Sequence, residues 1–294
     1  MNRAEKAELF LPMQCKLGEG VRWNAKEQRL YWVDIENHLF YRYDPTQGSS
    51  GKPERFDVGQ PVGVLAFREK GGLVMGAKAG LGTWDFASES FTLVAAPEAG
   101  KANARFNDGA VDPAGRFWAG TMTPTGATSS LYRLDPDGSV HTMETGLGIS
   151  NGVGWSLDGR TMYLTDSPRF VIYAYDFDVD SGAISNRRAF VQGSSADGQP
   201  DGMTLDAEGF VWSAHWGAHH VVRYDPAGKV ERIVELPVSQ VTCCAFGGPD
   251  LTDLYITSAW TGLKDEQRAK EPLAGDIFVL HTDIKGRVEP LFRG

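Results

Sequence analysis

The sequence predicts an all-β fold, a six-bladed β-propeller with mainly four-stranded antiparallel blades around a central channel. Two observations lead to this prediction: the composition, and a segment that recurs at nearly constant spacing. The 294 residues include 35 glycines, eight tryptophans and nine tyrosines, which favours many short strands joined by glycine turns over long helices. Because length alone is compatible with one large or two small domains, the repeat decides the architecture.

The repeat is visible when five segments are aligned. They are LGEGVRWNAKEQRLYWVDI (17–35), VGVLAFREKGGLVMG (62–76), RFNDGAVDPAGRFWAGTM (105–122), SNGVGWSLDGRTMYLTDS (150–167) and PDGMTLDAEGFVWSAHWG (200–217). The alignment puts Glu19, Gly63, Asn107, Asn151 and Asp201 in register, at spacings of 44, 44, 44 and 50 residues. A weaker sixth copy, VTCCAFGGPDLTDLYITSAW, begins near Thr242. Repeats of this length and content are typical of propeller blades.

Each unit contains an apolar strand, a turn such as DPAGR or LDGR, an aromatic strand and a third strand ending near a turn such as RYDP. Six such units fill the chain, which predicts a single propeller domain over residues 1–294. The apolar termini, AELFLP and VEPLF, are expected to pair and close the ring. The polar insertion KDEQRAKEPLAG is expected to form an external loop of the last blade.

The aligned positions carry oxygen donors, and equivalent positions of all blades lie at one height around the axis. Glu19, Asn107, Asn151 and Asp201 are therefore expected to converge at a channel mouth. Asn-Gly and Asp-Gly are also strong turn signals, so a purely structural interpretation exists. Against it, each repeat has a separate turn signal about eight residues downstream, and Glu19 has no turn preference.

Two carboxylates and amide oxygens suit a hard cation such as Ca²⁺, Mg²⁺ or Mn²⁺, while Zn²⁺ and Fe²⁺ remain open. Clustered carboxylates without a cation are expected to have raised pKa values. The sequence contains no G-x-S-x-G, P-loop, H-E-x-x-H or Rossmann motif, which disfavours a serine hydrolase.

Charge and cysteine content restrict the partners and the compartment. The formal net charge is −9 and no Lys/Arg cluster is present, so nucleic acid is not an expected partner. Three cysteines do not indicate a disulfide framework. The N-terminus lacks the apolar core of a signal peptide and no long apolar run occurs, so we expect a cytoplasmic protein without membrane contact, monomeric or weakly homo-oligomeric.

These segments resemble the gluconolactonase and regucalcin (senescence marker protein) family, over nearly the whole chain. LGEGVRWNAKEQRLYWVDI is similar to the family's first blade, and the segments that begin at residues 105, 150 and 200 to its third, fourth and fifth. The resemblance implies that Glu19, Asn151 and Asp201 bind one divalent metal ion. It also implies that Arg105 and Asn107 contact the substrate, a small sugar lactone.

One departure from the family concerns the segment after Gly120-Thr121-Met122. Regucalcin-like members carry an acidic substrate-lining residue there, whereas this chain continues Thr123-Pro124-Thr125-Gly126. Substrate preference is therefore expected to differ from that of the animal proteins, and a bacterial-style aldonolactonase is the closer analogue.

The expected function is metal-dependent hydrolysis of an aldonolactone to its aldonic acid in carbohydrate catabolism, with Asp201 as catalytic base. In this reaction the cation polarises the lactone carbonyl, and a water bound to the cation or held by Asp201 attacks. Two alternatives stay open: a paraoxonase-like promiscuous esterase or phosphotriesterase on the same scaffold, and a non-catalytic propeller that binds a cation or a protein partner. The sugar and the metal are not specified by the sequence.

Overall fold

Six β-sheets surround a common axis in the computed structural model, which describes residues 4–101, 103–124 and 128–294. Two short N-terminal strands, β1 (Ala4–Lys6) and β2 (Glu8–Leu11), precede the first blade. In each later unit the first strand is innermost, and the first strands of neighbouring units contact one another around the axis. The six-bladed propeller predicted from the repeat is therefore confirmed.

The first three blades are four-stranded and antiparallel, each with its strands in chain order from the axis outward. Blade 1 contains β3 (Gly18–Asn24), β4 (Arg29–Asp34), β5 (Leu39–Tyr43) and β6 (Glu54–Asp57). Blade 2 contains β7 (Val62–Phe67), β8 (Leu73–Ala77), β9 (Leu81–Asp85) and β10 (Ser90–Ala95). Blade 3 contains β11 (Arg105–Val111), β12 (Phe117–Met122), β13 (Ser129–Leu134) and β14 (Val140–Leu147).

The remaining blades follow the same plan, with N-terminal strands added to the last two. Blade 4 contains β15 (Ser150–Trp155), β16 (Thr161–Asp166), β17 (Val171–Phe177) and β18 (Ile184–Gln192). Blade 5 contains β19 (Gln199–Leu205), β20 (Val211–Trp216), β21 (His220–Tyr224) and β22 (Val230–Glu235). Blade 6 contains β23 (Val241–Gly247), β24 (Asp253–Ser258) and β25 (Ile277–His281).

The ring closes through the N-terminal strands, and the predicted partner for them was wrong. Strand β2 pairs antiparallel with β25 and supplies the fourth strand of blade 6. Strand β1 adds in parallel to β22 at the outer edge of blade 5. The C-terminal VEPLF segment instead runs beneath the blades, where Phe292 bridges Arg68 and packs between blades 2 and 3. Strand β2 pairs with the open edge of β25, which satisfies backbone groups that an unpaired edge would expose.

The insertion between β24 and β25 also differs from the prediction. It contains a short helix, α1 (Asp265–Lys270), with acidic residues in its first turn and basic residues in its last. That charge order complements the helix dipole. Single 3₁₀ turns occur at Ile35–Asn37, Ser167–Arg169 and Ser195–Asp197, and a longer 3₁₀ segment, Pro45–Ser50, is interrupted at Gly48.

The hydrophobic core consists of six clusters, one between each pair of adjacent blades. Tryptophans on second and third strands fill several of them: Trp32, Trp84, Trp118 and Trp212 are at most 1% exposed. Because every blade packs on two others, the ring holds the inner strands at fixed positions around the channel. No helix in the described part of the chain is long and apolar enough to cross a membrane.

A buried aspartate stabilises the first hairpin of blade 3. The Asp112 carboxylate is fully buried. It accepts hydrogen bonds from the backbone amides of Ala114 and Arg116, from Arg116 Nε at 2.6 Å and from Trp118 Nε1 at 2.9 Å. Asp206 holds Trp212 and Arg223 in the same way in blade 5. The Asp of the repeated turn signal therefore joins turn, strand and core.

We predict that Asp112→Ala destabilises the protein by about 3–5 kcal/mol, because it leaves the buried Arg116 Nε, the Trp118 indole N–H and two turn amides without their acceptor, while Arg116 keeps only its bonds to two backbone carbonyls. The expected fall in Tm is about 10 °C, measured by differential scanning calorimetry. Asp137→Ala is the matched control, since Asp137 lies in an exposed turn of the same blade and binds only Ser139 among the described residues. Equal Tm values for the two variants would contradict this assignment.

Candidate active site

The aligned residues of the repeat lie near the same end of the inner strands. Glu19 lies on β3, Asn107 on β11, Asn151 on β15 and Asp201 on β19, and each side chain is at most 7% exposed. Each inner strand has a register shift beside the aligned position, for example between Asn151 and Val153. Such a bulge twists the strand and re-aims a side chain, so the repeated irregularity aims these groups at the axis.

The glycines that follow the aligned residues permit close approach of neighbouring inner strands. Asn151-Gly152 and Asp201-Gly202 lie inside β15 and β19, not in turns. A Cβ atom on Gly152 would lie 2.6 Å from the Asp201 carbonyl oxygen, and one on Gly202 would lie 2.6 Å from Cys243 Sγ. The turn interpretation of these dipeptides is therefore wrong, and their glycines serve interstrand packing.

Asn151 links blades 4 and 5 at the mouth. Its Nδ2 donates to Asp201 Oδ1 and to Ser167 Oγ, the latter at 3.2 Å. Its Oδ1 is buried and has no hydrogen-bond partner in the described part of the chain. A buried acceptor without a hydrogen-bond partner is rare in proteins. A cation beside Asp201 would give this oxygen a partner.

The two carboxylates at the mouth carry an electrostatic penalty. Burial, and then repulsion from Asp108, raise the pKa of Glu19 to about 8. Burial, followed by repulsion from Glu19 and Asp108, raises the pKa of Asp201 well above its usual range. These directions agree with the expectation for carboxylates that are brought together without a cation. The Glu19 carboxylate accepts one hydrogen bond within the described residues, from the Gly20 amide at 3.0 Å.

Arg105 and Asn107 form a pair on β11. They are two residues apart on one strand, and Arg105 Nη1 donates to Asn107 Oδ1 at 2.7 Å. Asn107 Nδ2 in turn donates to the Ser150 carbonyl of the next blade at 3.1 Å. Burial lowers the pKa of Arg105 to about 10, against the opposing effect of Glu19, Glu36 and Asp201. The guanidinium therefore lies near the carboxylates of Glu19 and Asp201.

The repeat alignment missed two charged residues beneath the mouth. Asp108 is 4% exposed and its burial raises its pKa, partly offset by Arg22. Arg22 Nη2 lies 3.9 Å from Asp108 Oδ1 and donates to the Gly109 carbonyl. Simple strand alternation would send neighbours Asn107 and Asp108 to opposite faces. A bulge between Phe106 and Gly109 breaks that alternation. In the sequence, the glycine that follows Asp108 is the signal for such a bulge.

The donor set at the mouth consists of oxygen atoms. Glu19, Asn151 and Asp201 supply two carboxylates and one amide oxygen, which fit a hard divalent cation. No group of three or more His, Cys, Asp and Glu side chains spaced to hold a metal occurs within residues 4–101, 103–124 and 128–294. A metal at the mouth would therefore depend on the amide oxygen as well as on the carboxylates.

The segment that departs from the family pattern, residues 123–126, comes directly after strand β12 of blade 3 in the sequence. Thr123 follows β12, and its Oγ1 lies 2.7 Å from Thr128 Oγ1. Thr125 and Gly126 lie outside the described residues. The absence of a carboxylate at these four positions is therefore known from the sequence alone.

Comparisons with known proteins identify the family. The family model described as SMP-30/gluconolactonase/LRE-like region matches residues 17–260. The chain is 38% identical to regucalcin of Xenopus laevis over 298 residues, covering 98% of this chain and 99% of that protein. It is 40% identical to a pentonolactonase of Haloferax volcanii over 287 residues, covering 94% of each.

A solved structure gives the same result. The calcium-binding regucalcin of Agrobacterium tumefaciens superposes with a TM-score of 0.94 at 29% identity, covering 100% of both chains. The family match, the full-length relatives and this superposition confirm the resemblance carried by the blade segments. The chain belongs to the SMP-30/gluconolactonase/LRE-like family.

Proposed function

We propose that this protein hydrolyses a sugar lactone to the corresponding aldonic acid, with one divalent cation held by Glu19, Asn151 and Asp201. The observation that carries the proposal is that two buried carboxylates whose charges interact, Glu19 and Asp201, lie at the mouth with Asn151, whose buried Oδ1 has no hydrogen-bond partner among the described residues. The pentonolactonase of Haloferax volcanii, 40% identical, supports the substrate class. The calcium-binding regucalcin of Agrobacterium tumefaciens supports the cation.

The three side chains come from blades 1, 4 and 5, so a bound ion would tie the ring together across the channel. Oxygen donors favour Ca²⁺, Mg²⁺ or Mn²⁺, and Zn²⁺ and Fe²⁺ stay within the proposal. When bound, the ion supplies positive charge that neutralises the carboxylates and polarises the lactone carbonyl. This compensation explains why the chain keeps two carboxylates that repel each other at the mouth.

Asp201 is the candidate general base. Its Oδ1 is held by Asn151 Nδ2, which fixes the orientation of the carboxylate at the mouth. A base must lie within hydrogen-bond reach of the proton that it removes, and a buried carboxylate facing the channel meets this requirement for a water beside the substrate. Asp201 would take the proton of the attacking water and pass it to the ring oxygen that leaves.

Arg105 is the candidate substrate donor. Its guanidinium is directed into the mouth by the Asn107 oxygen at 2.7 Å, and its remaining N–H groups are available for a lactone oxygen or for the carboxylate of the product. Asn107 is itself fixed by the Ser150 carbonyl. Asn107 therefore positions Arg105 as well as standing near the proposed cation.

Turnover of sugar lactones should depend on the cation. Metal-stripped protein should release no acid from glucono-, galactono-, xylono- or arabinonolactone in a pH-indicator assay, and adding back one cation at a time should restore turnover. Full activity in a rigorously metal-free preparation would overturn the mechanism. Turnover of aryl esters or phosphotriesters with none of the lactones would favour the promiscuous esterase, and no turnover of any substrate would favour a binding protein.

Removal of a carboxylate at the mouth should abolish both cation binding and activity. We expect Glu19→Ala and Asp201→Ala to bind the activating cation at least about 100-fold more weakly, by equilibrium dialysis, since each loses a charged oxygen donor. Glu54→Ala is the control, because Glu54 is exposed on the outer strand of blade 1. Cation affinity retained by both mouth variants would rule out this ligand set.

Asn107→Ala should separate binding of the cation from turnover. We expect it to keep the cation, because Asn107 is not one of the three proposed ligands, and to lower kcat by about 100-fold or more, the usual cost of losing a positioned polar group. Equilibrium dialysis and steady-state kinetics on the same preparation measure the two effects. If affinity for the cation falls as steeply as kcat, Asn107 is a fourth ligand and its positioning role is wrong.

A further inference from the structure

A second hollow opens at the end of the channel opposite to the mouth. Strands β11, β15 and β19 carry the mouth residues near one end and Val111, Trp155 and Leu205 four residues later, about 13 Å away at the usual rise of a strand. The chain after β25 crosses below these strand ends, with a bridge between Asp206 and Gly286. The hollow between strands and tail is lined by apolar groups, among them Val153, Trp155, Met203, Leu205, Val288 and Pro290.

Two arginines enter this apolar hollow. Arg287 is half-buried and donates from Nη1 to the Trp155 carbonyl at 3.0 Å. No carboxylate pairs with Arg287 in the described part of the chain, and its burial lowers its pKa. A buried cation without a counter-ion is unfavourable, so the free side of this guanidinium is suited to an anion.

The second arginine is largely satisfied but adds positive charge. Arg22 is 8% exposed, and its Nη1 contacts both carboxylate oxygens of Glu289 at 3.0 and 2.9 Å. Its Nε is buried and has no partner among the described residues. Arg22 is thus paired with Glu289 and lies 3.9 Å from Asp108, so Arg287 is the guanidinium at this hollow whose charge no carboxylate balances among the described residues.

We propose that this hollow binds a small organic carboxylate with an apolar body. The carboxylate would accept hydrogen bonds from Arg287, which has five N–H donors and uses one of them on Trp155. The apolar body would lie against Trp155, Met203 and Val288. A body with many hydroxyl groups suits the hollow less well, because Met203, Leu205 and Val288 offer those groups no hydrogen-bond partner. None of the mouth residues lines this hollow, so the site is separate from the proposed lactonase centre.

Ligand-observed ¹⁹F NMR with 4-fluorobenzoate tests the proposal on the full-length protein. We expect saturable binding to the wild type and binding at least about 10-fold weaker for the neutral 4-fluorobenzyl alcohol. Arg287→Gln should weaken 4-fluorobenzoate binding by about 10-fold or more, the usual effect of losing a charged hydrogen bond. Val288→Glu, at a position 63% exposed, should also weaken binding, since it places a negative charge at the rim without disturbing the fold.

Two controls locate the ligand. Arg55→Gln, on the exposed outer strand of blade 1, should bind the probe like the wild type, and Arg105→Gln at the mouth should do the same. The proposal is overturned if the wild type shows no saturable binding, or if the alcohol binds as tightly as the acid. It is equally overturned if Arg105→Gln loses binding while Arg287→Gln and Val288→Glu keep it.

Discussion

The mouth of the channel depends on one constraint, the burial of like charges at a point where blades converge. Glu19 and Asp201 are drawn from blades 1 and 5 and are both about 95% buried. Because the ring of blades fixes the inner strands, these carboxylates cannot move apart to relieve their repulsion. Their raised pKa values express that strain, which a proton or a cation can relieve. Binding of the proposed cation at this site would therefore be coupled to the packing of the whole ring.

The same constraint explains the departures from regular strand geometry. Six inner strands must approach the axis closely, and each has a register shift near the mouth. Gly63, Gly152 and Gly202 occupy points where a Cβ atom would meet the neighbouring inner strand. Blade 2 contributes no side chain at this height, because Gly63 faces the backbone of Asn107. The close approach of blades 2 and 3 and the lack of a side chain at Gly63 therefore have one cause.

The fold was predictable because the repeat alignment reflects the geometry of a ring of blades. Residues at equivalent positions of successive blades lie at one height, so the register of Glu19, Asn151 and Asp201 predicted their convergence before any coordinates were known. Arg105 lies two residues before Asn107 on β11, and the contact between them places both on the same side of the strand. Their chemical roles do not follow from geometry, and they remain proposals.

Other features depend on forces that the pattern does not encode. The pairing of β2 with β25 is decided by which open edge lies within reach, and VEPLF satisfied the same apolar pattern without being the partner. Helix α1 has only six residues, too few for an apolar period of 3.6 residues to be visible. Asp108 was missed because alternation assigns it to the face opposite Asn107, whereas a bulge breaks that alternation.

The two ends of the channel differ in charge, and this difference bears on the proposed reaction. With the proposed cation bound, the carboxylates of Glu19 and Asp201 would be neutralised, and a neutral lactone would enter the mouth beside Arg105. The aldonate that forms would carry a negative charge toward the cation and Arg105, so water would have to replace both contacts before the product leaves. At the far end Arg287 has no carboxylate partner among the described residues, whereas Arg22 is paired with Glu289. Arg22 lies between the two, 3.9 Å from Asp108 and bound to Glu289, so the C-terminal tail is joined through one guanidinium to the carboxylates beneath the mouth.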